Sequence, residues 1–162
     1  MLVTLWQAKL KSLTLIEVLV AVGISVLLLG AAIPLFTQNS KKQSLRNDAG
    51  LVAAFFDRAR NYAFHPERPD ATAYRVVGAD CQGTVCRRLE MLAVSDDLTA
   101  LIDDLSVANL SIDIPENVSF AVNSGISSVA NVVVLKVFYH NQTNQKVKIQ
   151  INKAGNVDVL EN

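Results

Sequence analysis

The sequence predicts an α+β protein in which one long N-terminal helix packs on an antiparallel β-sheet. An uncharged apolar run over residues 18–36 is followed by apolar residues that recur every three or four positions as far as residue 64, which is the spacing of one helix face. Beyond residue 70, short β-prone runs alternate with turn residues, a pattern typical of strands. The 162 residues suit one folded domain rather than two.

The composition excludes several classes of protein. Apolar residues make up 51% of the chain, so it is not intrinsically disordered. The 15 basic and 15 acidic side chains balance, which argues against a nucleic-acid binder with a strongly basic surface. Two histidines and two cysteines are too few for a multi-ligand zinc site or a histidine-based catalytic site. Because the sequence also lacks a nucleophile–base set and a phosphate loop, we expect neither an enzyme nor a cofactor.

The N-terminal part is interpreted as a leader, residues 1–12, followed by a membrane-spanning half-helix, residues 13–36. The leader carries two lysines and no acid. As a helix, Val18–Phe36 would be about 28 Å long, close to the ~30 Å hydrocarbon core of a bilayer. A secretory signal peptide is the alternative, although its apolar core is usually about 7–15 residues long. Neither a signal peptide nor an ordinary membrane anchor requires an acidic residue at the start of its apolar run. Because a carboxylate in a membrane segment is costly, we expect Glu17 to have a partner group that carries a positive charge.

The segment around Glu17 reads SLTLIEVLVA over residues 12–21. It resembles the N-terminal signature of type IV pilins and type II secretion pseudopilins, in which a basic leader ends in a small residue and is followed by an apolar residue, Thr-Leu-Ile-Glu and an apolar helix. Two positions depart from the family pattern, because Ser12 stands in place of the usual Gly and Leu13 in place of the commoner Phe or Met. The strong resemblance covers about a quarter of the chain.

The resemblance implies a pilin-like fold and a structural role in a type IV pilus or type II secretion filament. A prepilin peptidase would cut between Ser12 and Leu13, and the new amine of Leu13 would be methylated. Glu17 would pair with the amine of a neighbouring subunit, and because an unpaired carboxylate in apolar surroundings is penalised, this pair would set the register of assembly. The implied partners are other pilin or pseudopilin subunits, prepilin peptidase, the inner-membrane assembly platform and membrane lipid.

The resemblance also implies a location. It places the chain in the bacterial inner (cytoplasmic) membrane as a single-pass protein, with the globular domain outside the cytoplasm and later in a periplasmic or cell-surface filament. Charge alone leaves the orientation open, because basic residues lie on both sides of the apolar run.

The helix is expected to continue through residues 37–64 as an amphipathic segment. Pro34, at a position where many pilins carry a proline, removes one backbone hydrogen bond and is expected to kink the helix. Pro66 and Pro69 predict its end. The apolar stripe, interpreted as core, consists of Leu45, Ala49, Val52, Phe56, Ala59 and Ala63.

Residues 65–162 are expected to form the β-rich globular domain. Strands are predicted at Ala73–Val77, Val85–Val94, Val107–Ile114, Val118–Val122, Val129–His140, Lys146–Asn152 and Val157–Leu160. Residues 141–145 are expected to form a hairpin loop. A short helix is predicted over Ser95–Leu105, where four apolar residues follow helical spacing and would point inward; they are Leu98, Leu101, Ile102 and Leu105.

Cys81 and Cys86 flank a short turn with the sequence Gln-Gly-Thr-Val. If the domain lies outside the cytoplasm, a disulfide across this hairpin is expected, and it would stabilise the fold by about 2 kcal/mol or less. In a reducing compartment the two thiols would be free. The acidic pairs Asp96–Asp97 and Asp103–Asp104 are interpreted as a solvated face rather than a calcium site, and no metal ligands are predicted.

Two later segments resemble the minor group called GspH or FimT-like. Residues 51–63 are similar to its Ala-Arg-x-x-Ala region, and residues 149–157 are similar to its closing hairpin. Some FimT-like proteins bind DNA during uptake, so the alternative function is a membrane-anchored DNA-binding minor pilin. Its candidate DNA contacts are Arg75, Arg87 and Arg88, which are interpreted as a small basic cluster.

Overall fold

One helix and nine strands make up the part of the chain that the computed structural model describes, residues 14–96, 98–106, 110–129, 132–140 and 142–160, without the side chains of residues 31–36, 142 and 143. The helix is α1 (Leu15–Phe64). The strands are β1 (Ala73–Ala79), β2 (Val85–Cys86), β3 (Arg88–Val94), β4 (Thr99–Ser106), β5 (Leu110–Asp113), β6 (Val118–Ala121), β7 (Val133–Tyr139), β8 (Gln142–Ile151) and β9 (Val157–Leu160). The chain divides after Ser40 into two compact units, and α1 contributes residues to both.

The second part of α1, residues 41–64, is amphipathic and belongs to the core of the globular unit. Every residue of the predicted stripe is at most 1% exposed, which confirms the sequence interpretation; these residues are Leu45, Ala49, Val52, Phe56, Ala59 and Ala63. The helix ends at Phe64, as predicted. The amide of His65 makes a last helical bond to the carbonyl of Asn61 at 2.9 Å, and Pro66 has no amide hydrogen with which to continue the pattern.

The strands form two antiparallel sheets rather than the single sheet that was predicted. Sheet A has the order β4-β3-β1-β6, and sheet B has the order β2-β5-β7-β8-β9. The predicted strand Val85–Val94 is divided, because β2 pairs with β5 in sheet B while β3 pairs with β1 in sheet A. Cys86 and Leu89 are both buried although they are three residues apart. An unbroken strand would place them on opposite faces, so the chain must change sheets between them.

A single buried cluster unites residues 41–64 of α1 with both sheets. Sheet A contributes Tyr74, Val76, Leu89, Met91, Ala93, Val118 and Phe120, and sheet B contributes Cys86, Leu110, Ile112, Val133, Leu135, Val137, Val147, Ile149 and Ile151. Burial alternates along β3 and β7, as expected for strands with one face on a core. The helix therefore packs on a surface that both sheets provide.

The short helix predicted over Ser95–Leu105 is wrong. Residues 99–106 form β4, which pairs with β3 and contains one irregularity opposite Met91/Leu92. Ile102 and Leu105 pack against the core, whereas Leu98 and Leu101 are more than half exposed. Apolar residues spaced by three and four fit a bulged strand as well as one helix face, and the free edge of β3 needs a hydrogen-bonding partner. That long-range requirement decides the conformation here.

The predicted hairpin loop at residues 141–145 is also wrong. β7 and β8 pair as far as Tyr139 and Gln142, so most of the polar stretch belongs to β8; Asn141 lies outside the described residues. Backbone pairing requires no apolar side chain, and polar residues are tolerated where a hairpin reaches solvent. The final strand, Val157–Leu160, has the predicted boundaries.

Candidate functional site

Thr14 caps the N-terminus of α1. Its carbonyl accepts hydrogen bonds from the amides of Glu17 and Val18, at 3.0 and 3.3 Å, and its hydroxyl accepts a second, longer bond from the Glu17 amide at 3.4 Å. Thr14 and Glu17 therefore occupy the first and last positions of a capping box, the Thr-x-x-Glu pattern that marks helix starts. The capping signal is visible in the sequence as Thr14 followed three residues later by Glu17.

The N-terminal part of α1 exposes apolar side chains on all of its faces. Every described side chain from Thr14 to Gly30 is exposed, with values of 81% for Leu15 and 75% for Leu27. The one hydroxyl within this stretch of helix, on Ser25, donates to the carbonyl of Ala21 at 2.8 Å. Nothing that the structure describes within residues 14–40 covers these side chains. Such a surface requires an apolar environment from outside the chain.

No helical stretch among the described residues has both the length and the apolarity needed to cross a membrane.

The structure does not describe two of the predicted site residues, nor the side chain of a third. Ser12 and Leu13, the predicted cleavage and methylation positions, lie outside the described residues, and so does the side chain of Pro34. Glu17 lies in the first turn of α1 and is exposed. Its carboxylate makes no hydrogen bond or ion pair with any described residue. Its predicted role in subunit assembly remains a prediction.

Cys81 and Cys86 form a disulfide, as predicted, with their Cα atoms 4.0 Å apart. The hairpin between them is closed by two backbone bonds that join Gln82 and Val85. Gly78 lies directly against this disulfide, because an added Cβ there would overlap both sulfur atoms. The loop is also tied to β5, since the hydroxyl of Thr84 donates to the carboxylate of Asp113 at 2.7 Å. The disulfide thus stiffens the point where the chain passes between the sheets.

The three candidate DNA-binding arginines do not form one cluster. Arg88 pairs with Glu90 at 2.7 Å and lies 3.8 Å from Asp80. Arg87 lies between β2 and β3, where it donates to Nε2 of His140 at 3.2 Å. Arg75 is exposed on β1 opposite Leu92, four residues along β3 from Arg88. The three cations therefore have separate surroundings, and a DNA-binding role for them remains a prediction.

The acidic pairs are separated in the structure. Asp103 forms an ion pair with Arg58 of α1, which differs from the predicted solvated face, while Asp104 and Asp96 are exposed. Asp97 lies outside the described residues. No group of three or more histidine, cysteine or carboxylate side chains positioned to hold a metal ion occurs in the described part of the chain.

Two side chains in the second part of α1, residues 41–64, have shifted pKa values. Burial raises the pKa of Asp57 above its ordinary value of 3.8, with the nearby Asp158 adding to the shift and Arg60 opposing it. Burial also raises the pKa of Tyr62, and Glu67 reinforces that effect. The Tyr62 ring stacks on that of Tyr74 with centroids 5.6 Å apart, which accounts for its loss of hydration. Neither group lies in the part of α1 that carries Glu17.

A groove of about 400 Å³ lies where residues 42–46 of α1 meet β8 and β9. It is lined by Lys42, Leu45, Arg46, Asn144, Gln145, Lys146, Val147, Val159 and Leu160. Leu45 and Val147 are its buried apolar residues, and Lys42, Arg46 and Lys146 are its cationic residues among those that the structure describes. The sequence analysis missed this site, since its residues come from segments about 100 positions apart.

The fold defines a class of protein. A long N-terminal helix whose first part is apolar and exposed, and whose second part packs under antiparallel sheets, is the pilin-like α+β architecture that the sequence predicted. Comparison with solved structures confirms this assignment of the fold.

Two crystal structures of the type IV minor pilin FimU from Pseudomonas aeruginosa strain PAO1 have the same fold. The form in space group P65 matches with a TM-score of 0.56 and 14% identity, covering 72% of this chain and 92% of that one. The form in space group P21 matches with a TM-score of 0.57 and 16% identity, covering 78% and 92%. No protein-family model and no curated protein sequence matches the chain.

Proposed function

We propose that the chain is a minor pilin or pseudopilin, a structural subunit that enters a type IV pilus or type II secretion filament through α1. The observation that carries this proposal is the exposure of every described side chain from Thr14 to Gly30 on a helix that is apolar all round. A helix of this kind is unstable in water and is stable in lipid or among similar helices. The likeness to FimU supports the same role.

The proposed route begins in the inner membrane. The apolar run Val18–Phe36 inserts in the bilayer, and prepilin peptidase cleaves the chain between Ser12 and Leu13 on the cytoplasmic side. Methylation of the Leu13 amine follows. Ser12 is small enough to occupy the position that Gly takes in related proteins, so the substitution permits cleavage at a reduced rate.

Glu17 supplies the selectivity of assembly in this proposal. A carboxylate without a partner is strongly penalised in an apolar helical bundle, whereas one paired with an amine is penalised far less. The new amine of a neighbouring subunit is such a partner. An incoming subunit is therefore retained only in the register that brings its neighbour's amine to Glu17.

The mass of the mature protein tests the proposal. The full chain is expressed with a prepilin peptidase and its mass is measured intact. We expect a species that begins at Leu13 and carries one added methyl group. A Ser12→Gly control should give the same product faster, because it restores the residue usual at this position. Retention of residues 1–12 in both proteins would overturn the proposed processing.

Incorporation into filaments tests the structural role separately. Filaments are sheared from cells that produce the full chain, and the fraction of the protein that copurifies with them is measured. Copurification at a level above that of a variant lacking residues 1–30 supports the role. Equal levels for both would overturn it.

A further inference from the structure

Two acidic side chains lie directly opposite each other on sheet A. Glu90 of β3 pairs in register with Asp104 of β4, and these two residues are the cross-strand acids. Because the neighbouring Met91 is buried in the core, both acids lie on the outer face of the sheet. Like charges in directly opposite positions destabilise a sheet. Arg88 compensates Glu90 at 2.7 Å, whereas the carboxylate of Asp104 has no ion pair or hydrogen bond with any residue that the structure describes.

Sheet B carries the same arrangement with the opposite sign. Lys136 of β7 pairs in register with Lys148 of β8, and these two residues are the cross-strand lysines. The neighbours of Lys148 along the strand, Val147 and Ile149, are buried, so both lysines lie on the outer face. Lys136 has a carboxylate partner, Asp113, at 3.5 Å, but Lys148 makes no ion pair within the described part of the chain. Each sheet therefore keeps one uncompensated charge beside a like charge.

The charges next to the two pairs are also opposite in sign. On sheet A, Arg75 of β1 is exposed and lies diagonally from Glu90. On sheet B, Asp158 of β9 is exposed and lies diagonally from Lys148, while Lys146 adds a further cation two residues along β8. In strand order, sheet A therefore presents one cation and then two acids on β1, β3 and β4, and sheet B presents one acid and then two cations on β9, β8 and β7.

Each outer face also offers apolar side chains next to its charges. Leu101 of β4 is 58% exposed, and its partner on β3, Leu92, is partly buried on the same face. On sheet B, Leu160 pairs with Lys148 and is 36% exposed. Four strands spaced by about 4.8 Å, each about 20 Å long, give a footprint of about 400 Å². That is about half of what one partner of a standard interface buries, so a contact through these faces is weak by itself.

We propose that the outer face of sheet A in one copy of this chain binds the outer face of sheet B in a neighbouring copy. Asp104 of the first copy pairs with Lys148 of the second, and the same contact brings Glu90 close to Lys136. Because the two faces are different, the contact is heterologous and can repeat from copy to copy, which is the kind of interface that builds open helical filaments. The inference rests on the proposed function, because a filament subunit is what requires a repeating contact.

Two other occupants of these faces account for less of the charge pattern. A symmetric dimer through sheet A alone would leave Lys148 uncompensated. An acidic polymer bound to sheet B would leave Asp104 uncompensated. Of these three arrangements, the contact between unlike faces is the one that provides both charges with a partner, and complementary charges of this kind determine which partner binds and in which register.

The test uses the full chain in a neutral detergent, with isotope-labelled and unlabelled copies mixed. A carbodiimide joins a carboxylate to an amine where the two touch, and mass spectrometry identifies peptides that link a labelled copy to an unlabelled one. The two single variants are Asp104→Lys and Lys148→Glu, and a third variant combines them. The matched control combines Glu116→Lys and Lys153→Glu, which change two exposed residues outside the strands of both sheets.

We expect the parent to give cross-links from a cross-strand acid of one copy to a cross-strand lysine of the other. Each single variant should give at least about fivefold less cross-linked dimer, because one attraction between copies becomes a repulsion. The combined variant should return to within about twofold of the parent, because both signs are then reversed. The control should match the parent.

Urea denaturation shows whether each variant is folded. A single reversal replaces a like-charge pair with an opposite-charge pair inside its own sheet, so the unfolding midpoint should stay at or above that of the parent although association falls. The proposal would be overturned if the combined variant failed to recover, if one single variant alone had an effect, if the control lost as much, or if the cross-links joined other residues. Cross-linking in detergent needs neither a peptidase nor a filament, so its failure would leave filament copurification, the test of the proposed function, unaffected.

Discussion

The phenol of Tyr139, at the end of β7, donates a hydrogen bond to the carboxylate of Asp48 on α1, with 3.1 Å between the oxygen atoms. The two residues are 91 positions apart in sequence, and both are partly buried. Most other contacts between residues 41–64 and sheet B are apolar and give no fixed direction. This bond therefore adds a directional contact to the packing of residues 41–64 on sheet B.

Loss of this bond should weaken the globular unit. Tyr139→Phe keeps the ring and removes only the donor, so we expect the free energy of unfolding to fall by about 1.5 kcal/mol, as for a hydrogen bond to a charged acceptor. Urea denaturation of the parent, Tyr139→Phe, Asp48→Asn and the double variant forms a cycle that isolates the pair. Additive single effects would show that the two side chains are not coupled.

The helical stripe was predictable from sequence and β4 was not, for a physical reason. Ala49, Val52 and Phe56 recur over several turns, and a long repeat of that kind has one interpretation. The apolar residues between Ser95 and Leu105 cover three turns at most, and their spacing fits a bulged strand equally well. The deciding factor is the unsatisfied edge of β3, which exists only once the sheet has formed.

Gly78 should tolerate no side chain while the disulfide is intact. A methyl group there would overlap the sulfurs of both Cys81 and Cys86, so Gly78→Ala should cost about 1–3 kcal/mol through overpacking. In the Cys81→Ser, Cys86→Ser background the disulfide is absent and the smaller hydroxyls relieve the overlap. The additional cost of Gly78→Ala should therefore shrink there. An equal cost in both backgrounds, measured by urea denaturation, would contradict the proposed clash.

Gly155, between β8 and β9, and Gly50, inside α1, should respond to alanine substitution in opposite ways. Gly155 has a φ of +78°, and an added Cβ would meet the carbonyl of Gly125 and the side chain of Arg60. Gly155→Ala should therefore cost about 2–4 kcal/mol through strain and overlap. Gly50 lies inside α1 with open space around it, so Gly50→Ala should stabilise by about 0.5–1 kcal/mol. Thermal unfolding should move in opposite directions for the two variants.

Because the pKa of Asp57 is raised in the folded state, replacing this carboxyl with a neutral side chain should increase the free energy of unfolding by an amount that depends on pH. A carboxyl whose pKa is raised in the folded state favours folding when protonated, and that contribution is complete below its ordinary value of 3.8 and is lost as the pH rises through the raised pKa. Asp57→Asn should therefore raise stability at pH 7 and make no difference near pH 3. Because Asp158 contributes to the shift, the gain should be smaller in an Asp158→Asn background. A gain that is the same at both pH values would contradict this account.

As with the elements of the fold, some candidate sites could be predicted from the sequence and others could not. The disulfide was predictable because Cys81 and Cys86 are close in sequence and separated by turn-forming residues. The groove was not, because Leu45 and Val147 come together only through the packing of α1 on β8. Likewise Arg75 and Arg88 lie on neighbouring strands, as the sequence indicated, but the register places them four residues apart along β3.

Glu17 has two roles that substitution can separate, capping the helix and pairing with an amine. Glu17→Gln keeps a side chain that serves in a capping box but removes the charge, so α1 should start as in the parent while incorporation into sheared filaments falls sharply. Thr14→Val removes the capping hydroxyl, at a cost of about 1 kcal/mol of helix stability, and leaves the charge in place, so incorporation should be close to that of the parent. Helix content is measured by circular dichroism in detergent, and incorporation by the filament assay. If Thr14→Val lost incorporation while Glu17→Gln retained it, the function of Glu17 would be to start the helix, and charge pairing between subunits would have to be abandoned.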